Sequence, residues 1–286
     1  MAKDAKTSPG RISRLLNVLG RTMIVAGLLL LSFVAYQLWG TGIAEGRSQS
    51  AMATQFVKPQ PVQPTFGGLV GRITIPSIGV SKYVVAGARL KDLERGPGLF
   101  PGSPLPGQKG NVAIAGHRTT FGAPFGRIDE IQDKEKIILE SKDGTFIYTV
   151  DGEPKIVSAT DTAVTKTINP EIATLTLVSC YPKWTSTQRI IVVATLDSTE
   201  SPLPPTPFAI NEPTIQEPKD GWFHDPTVWP TVLFFGFALI TIRIIAGIVT
   251  RRGRRRLFVY LVAGGIFIPT LYGFFGALAR LLPANL

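Results

Sequence analysis

Cysteine is nearly absent: Cys180 is the only one in 286 residues. No disulfide can form within the chain, so a domain outside the cell would have to be held by its core alone, and the single thiol is either buried or functional. Histidine is almost as scarce. His117 and His224, with one distant cysteine, lack the spacing of a zinc site. No glycine pattern suited to nucleotide phosphates occurs, and the acidic residues form no calcium loop. Neither a metal nor a cofactor is expected.

Acidic charge is scarce at both ends. Of the 20 Asp+Glu, 19 lie between Glu45 and Asp225, together with 18 of the 30 Lys+Arg. The formal net charge of +10 therefore belongs to the flanks, not to a folded surface, which argues against a nucleic-acid partner. The basic residues cluster at Lys3, Lys6, Arg11, Arg14 and Arg21, and again at Arg251, Arg252, Arg254, Arg255 and Arg256. Both clusters sit beside long apolar runs.

Those runs are what the chain has in abundance. Thr22–Ala44 and Leu257–Ala279 carry no charge over 23 residues each, and Pro226–Thr250 is interrupted only by Arg243. About 20 such residues cross a bilayer as a helix. The positive-inside bias puts both basic clusters in the cytoplasm. Residues 1–21 are then a cytoplasmic tail, 22–44 a span, 251–256 a cytoplasmic loop between spans 226–250 and 257–279, and 280–286 an external tail. The protein is expected in the cell membrane, multi-pass, with its middle outside. The first run also fits a cleaved signal peptide, but its length and Trp39 favour a retained helix. Arg243 is read as structural, either snorkelling to the headgroups or facing a neighbouring helix. His224 is read as interfacial.

Residues 45–65 are rich in Gln, Ser, Ala and Pro and read as a stalk; 199–225 read as a Pro-rich linker. Between them, 66–198 form one domain with mostly strand signals. Gly71–Ile75, Tyr83–Val85, Asn111–Ala115, Lys136–Glu140, Thr145–Val150, Lys155–Ala159, Thr174–Ser179 and Arg189–Leu196 are the candidate strands, with Asp143-Gly144 as a hairpin turn. Arg89–Arg95 and Phe125–Ile131 each predict a helical turn or two. The fold class is mainly β, a small barrel or closed sheet with short helices.

Three chemistry-bearing residues stand at strand ends. Cys180 closes an apolar run and precedes Tyr181-Pro182, where proline stops the ladder. His117 follows Val112–Gly116, and Arg189 opens the strand nine residues after Cys180. A thiolate is the attacking form of cysteine, and neighbouring positive charge favours it. Imidazole exchanges protons near neutrality, whereas a guanidinium only donates hydrogen bonds. Taken singly, each residue also has a bland reading: a buried thiol, a satisfied turn histidine, a surface arginine.

Thr176-Leu177-Val178-Ser179-Cys180 resembles the Thr-Leu-x-Thr-Cys motif of the sortases, with a histidine roughly 60 residues upstream and an arginine shortly downstream. Gly116-His117-Arg118-Thr119-Thr120-Phe121-Gly122 looks especially like the class E sortases of actinobacteria. Ser179 stands where threonine is commoner, and the C-terminal pair of spans departs from a single anchor. The resemblance implies an eight-stranded β-barrel and a cysteine transpeptidase. Such an enzyme cleaves a C-terminal LPxTG- or LAxTG-like signal between Thr and Gly through a thioacyl intermediate. It then joins the substrate to a peptidoglycan-precursor amine or a pilin lysine. His117 would be acid and base, Cys180 the nucleophile, and Arg189 the holder of substrate and oxyanion. Thr119, Thr120, Ser179, Tyr181 and Trp184 are weaker substrate-binding candidates, and the loop from Lys155 to Asn169 is expected to shape the signal pocket. A mainly hydrolytic enzyme and an inactive membrane-tethered scaffold of the same fold are the alternatives.

Overall fold

The computed structural model describes residues 11–58, 64–199, 201, 226–252 and 256–281. Strands β1 (Leu69–Ile75), β2 (Val80–Ala86), β3 (Gly98–Leu99), β4 (Gly110–Ala115), β5 (Lys136–Ser141), β6 (Gly144–Val150), β7 (Lys155–Ser158), β8 (Ala173–Tyr181) and β9 (Gln188–Leu196) make one sheet. Eight of them close a circuit, β6-β5-β1-β2-β3-β4-β8-β9, because β6 also pairs β9. The ninth, β7, lies on the N-terminal half of β9, while β6 takes its C-terminal end. The eight-stranded barrel expected from the resemblance is present.

Alternation drives the closure. β1 buries Leu69, Gly71, Ile73 and Ile75 and leaves the intervening residues half-exposed, the period-2 pattern of a sheet with one wet face. β4 is buried throughout, since it lies between β3 and β8 with loops over its outer side. Phe125, Ile128 and Ile131, in the connection from β4 to β5, are buried in the same core. The hairpin β5–β6 turns where Asp143-Gly144 predicts, with Gly144 at φ 137°.

Of the stretch 45–65 read as a stalk, residues 45–56 are instead helical. α1 (Arg11–Ala35) passes through a π-helical turn, Tyr36–Gly40, into a further helix, α2 (Thr41–Phe56), which lies on the barrel. Met52 is buried against Leu69 and Val85, with Phe56 and Tyr83 packed beside it. Gln49 donates to the carbonyls of Tyr83 and Arg95 and accepts the Tyr83 N–H. The docking face is largely polar, which is why hydropathy does not register it.

After the short α3 (Leu90–Leu93), the remaining helices are α4 (Trp229–Arg252) and α5 (Arg256–Leu281). Helices covering 12–56, 229–251 and 256–281 are long and apolar enough to cross a membrane. Arg243 is exposed on α4. The C-terminal end of α1 meets α5 through Phe33–Phe275 and Tyr36–Tyr272 ring contacts. The start of α4 and the turn before it pack on the end of α5 through Val228, Val232, Ala277 and Leu281. Arg280 reaches Glu94 beside α3 at 3.4 Å. All three helices thus present one end to the barrel. The expected N-terminal tail, most of the Pro-rich linker with His224, the centre of the basic loop and the final residues lie outside the described residues.

Candidate active site

β4 and β8 run parallel, with Ala115 opposite Val178. The Gly116 N–H donates to the Val178 carbonyl at 3.0 Å, and the Ser179 hydroxyl donates to the Gly116 carbonyl at 2.7 Å. Continuing that register by two residues sets His117 level with Cys180. β8 and β9 are antiparallel, with Cys180 directly opposite Arg189, and directly opposed residues project from the same face of the sheet. The three residues singled out in the sequence therefore meet at one end of three adjacent strands.

His117 and Cys180 are 4% and 6% exposed. Burial pushes the imidazole down to about 4, and His117 Nε2 has no hydrogen-bond partner among the described residues. Burial also pushes the Cys180 thiol up, while the guanidiniums of Arg189 and then Arg118 pull it back. Near neutral pH the resting pair is thus a neutral thiol beside a neutral imidazole, each charged form disfavoured by loss of water. Arg189 Nη1 donates to the Ser186 and Gln188 carbonyls, which ties the guanidinium to its own loop.

A second arginine belongs to this site. Arg118 has a side chain only 2% exposed, pairs with Asp129 at 2.8 Å, and donates from Nη1 to the Cys180 carbonyl at 3.1 Å. Its guanidinium carbon lies 5.9 Å from the centre of the Tyr181 ring, and Nε is unpartnered among the described residues. A buried cation needs such partners, because an uncompensated one is costly. The Gly116–Gly122 motif displays Arg118, but its neighbours Asp129 and the Cys180 carbonyl are distant in sequence.

His117 is shaped from behind by its own loop. The Phe125 N–H donates to the His117 carbonyl at 3.1 Å, and the Phe121 ring lies 5.0 Å from the imidazole. A Cβ at Gly116 would fall 2.5 Å from the Phe125 ring, so glycine there lets the ring close over the strand end.

His117 and Cys180 open into a cleft of about 540 Å³. Thr119, Thr120 and Trp184 line its barrel side; Trp184 is exposed, with φ 72°. The opposite wall comes from the membrane helices, with Phe33, Tyr36 and Gln37 on one side and Tyr272, Gly276 and Arg280 on the other. Nothing in the sequence pattern marks that wall. Ser179 is turned to the Gly116 carbonyl and Tyr181 to the core, so both make structural contacts. β7 and the residues after it to Asn169 lie against β9 and Asn111, and the cleft wall includes none of them.

Residues 73–197, the strands that carry His117, Cys180 and Arg189, match the sortase domain. These residues form a domain of the sortase family. The chain is 29% identical over 219 residues to sortase SrtE2 of Streptomyces coelicolor, spanning 67% of this chain and 86% of that protein. Sortase E of Streptomyces avermitilis is 32% identical over 49% of this chain and 97% of its own, with a TM-score of 0.44. The sortase D5 transpeptidase of Clostridium perfringens is 28% identical over 54% of this chain and 98% of its own, TM-score 0.48. The identity to sortase SrtE2 gives the domain its class E likeness, and α4 and α5 lie beyond residues 73–197.

Proposed function

We propose that this sortase is a membrane-anchored cysteine transpeptidase acting on the outer face of the cell membrane. It cleaves an LPxTG- or LAxTG-like C-terminal signal between Thr and Gly and passes the acyl group to a cell-wall or pilin amine. The observation that carries the reading is the β4–β8 register, which sets a buried imidazole, its Nε2 without a partner among the described residues, level with the buried thiol. The basic flanks at the far ends of the helices support the orientation.

The chemistry follows from two neutral groups. As Sγ attacks the threonine carbonyl carbon, its proton passes to His117, a C–S bond forms and the carbonyl oxygen becomes an oxyanion; the thioacyl group results when the carbonyl re-forms. Collapse expels the glycine amine, which takes the proton from the imidazolium. An incoming amine then attacks the thioester, gives its proton to His117, and the thiolate leaves and is reprotonated. Arg189 stabilises the oxyanion as a fixed cation, and Arg118 holds the Cys180 backbone from the other side.

The test is intact-mass analysis of the full chain in detergent micelles, incubated with LAxTG and LPxTG peptides and a glycine-type amine. The expected result is a threonyl adduct on Cys180 and an amine-ligated product, both absent in Cys180→Ala. An adduct that only hydrolyses would move the assignment to a peptidase. No adduct from a peptide library, with the thiol still alkylable, would leave a scaffold.

A further inference from the structure

The loop after His117 is bent through three consecutive left-handed residues, Phe121 (φ 49°), Gly122 (φ 72°) and Ala123 (φ 43°). For the two residues that are not glycine this costs about 1–2 kcal/mol each, and such a conformation persists only where its surroundings impose it. The surroundings here come from α2. Thr41 is fully buried. Its hydroxyl donates to the Gln37 carbonyl at 2.8 Å and accepts the Phe121 N–H at 3.0 Å, so its one proton and a lone pair are both in use.

One helical turn further on, Glu45 is 2% exposed and pairs with Lys82 at 2.7 Å. Its other carboxylate oxygen stands 2.7 Å from where a Cβ on Gly122 would be, so only glycine fits under it. The π-helical turn brings this face round: the Thr41 N–H donates to the Tyr36 carbonyl, five residues back. Tyr272 of α5 donates to the Gly40 carbonyl at 2.9 Å and fixes the same turn. A continuous set of contacts therefore runs from the membrane helices through Thr41 and Glu45 to Phe121 and Gly122, and from the Phe121 ring to the imidazole.

We propose that Thr41 and Glu45 are positioning residues for His117, so that the end of the membrane anchor is part of the catalytic apparatus. This rests on the transpeptidase reading above and deepens it. The anchor does more than tether the barrel: it supplies the acceptor for the Phe121 N–H, and without it the loop is free to relax toward ordinary backbone angles.

The experiment uses the full chain in detergent micelles, with Thr41→Val, Thr41→Ser and Glu45→Gln. Two readouts are taken: kcat and KM with an LAxTG peptide and a glycine-type amine, and the titration midpoint of ring-labelled His117 by NMR. Thr41→Val keeps the shape and loses the hydroxyl. It is expected to lower kcat about tenfold while KM stays within about twofold, as misplacement of a catalytic group does. Its His117 midpoint should move up from about 4 as water enters. Thr41→Ser should restore both, and Glu45→Gln should shift both in the direction of Thr41→Val. Wild-type kcat and midpoint in Thr41→Val would overturn the proposal, as would equal impairment in Thr41→Ser. Absence of turnover in the wild-type chain would overturn the transpeptidase reading instead, while a shifted midpoint in Thr41→Val would still support the positioning.

Discussion

Acid should destabilise this protein through one residue. His117 is held neutral by burial, with its midpoint lowered from 6.5 to about 4. The unfolded chain therefore binds a proton at pH 4.5 that the folded chain largely refuses. A group with a depressed folded midpoint leaves stability whole above the unfolded value and removes it as pH falls toward the folded one. Between pH 7.5 and 4.5 the loss is about 2–3 kcal/mol, from the roughly two pH units over which only the unfolded chain takes up the proton. For a domain of this size that corresponds to a Tm lower by about 5–10 °C. The assay is thermal unfolding of the full chain in micelles at both pH values, followed by near-ultraviolet circular dichroism, for wild type and His117→Gln. Carboxylates titrate in the same range, so the informative quantity is how much smaller the acid loss is in the variant. Equal acid losses in the two proteins would refute the reasoning, as would an NMR midpoint for His117 near 6.5.

The thiol gives a second pH test. Burial holds the Cys180 thiol up, so its alkylation by iodoacetamide should keep accelerating beyond the ordinary thiol midpoint of about 8.5; a plateau below pH 8 would contradict this. Arg118→Met removes one of the two cations that pull the thiol down, so the same profile should move to higher pH, and an unchanged profile would remove Arg118 from the electrostatics of the site. Asp129→Asn leaves the Arg118 guanidinium buried without its anion. Because Asp129 is 41% exposed the pair is partly screened, and a cost of about 2 kcal/mol in thermal unfolding is expected. Gly116→Ala should cost about 1–3 kcal/mol by driving a methyl into Phe125. Adding Phe125→Leu should make the double variant less destabilised than the two changes summed.

The barrel is legible in the sequence because its strands alternate or run apolar over several residues. Gly71–Ile75, Lys136–Glu140 and Arg189–Leu196 all fall inside observed strands, mostly short by one or two residues at an end. β3 is different. It is two residues long within a Gly- and Pro-rich stretch, and two residues carry no period. His117, Cys180 and Arg189 are legible for a related reason: each stands at an end of an apolar run, and the pairing of β8 with β4 and β9 does the rest.

What stays hidden follows one rule. Hydropathy reports faces that bury carbon, and the contacts around this site are made by buried polar atoms. Thr41, Glu45, Gln49, Met52 and Phe56 recur every three or four residues, which is a helix face, yet three of the five are polar. Their burial is tolerated because each has a partner: a backbone N–H for Thr41, Lys82 for Glu45, two carbonyls for Gln49. The same holds for Arg118 between Asp129 and the Cys180 carbonyl. The cleft wall from α1 and α5 is hidden for the opposite reason, since helices apolar on every side have no face for a period to mark. A pattern search tuned to apolar stripes finds the barrel and the spans, and the residues that join them must be found by asking which buried polar groups satisfy one another.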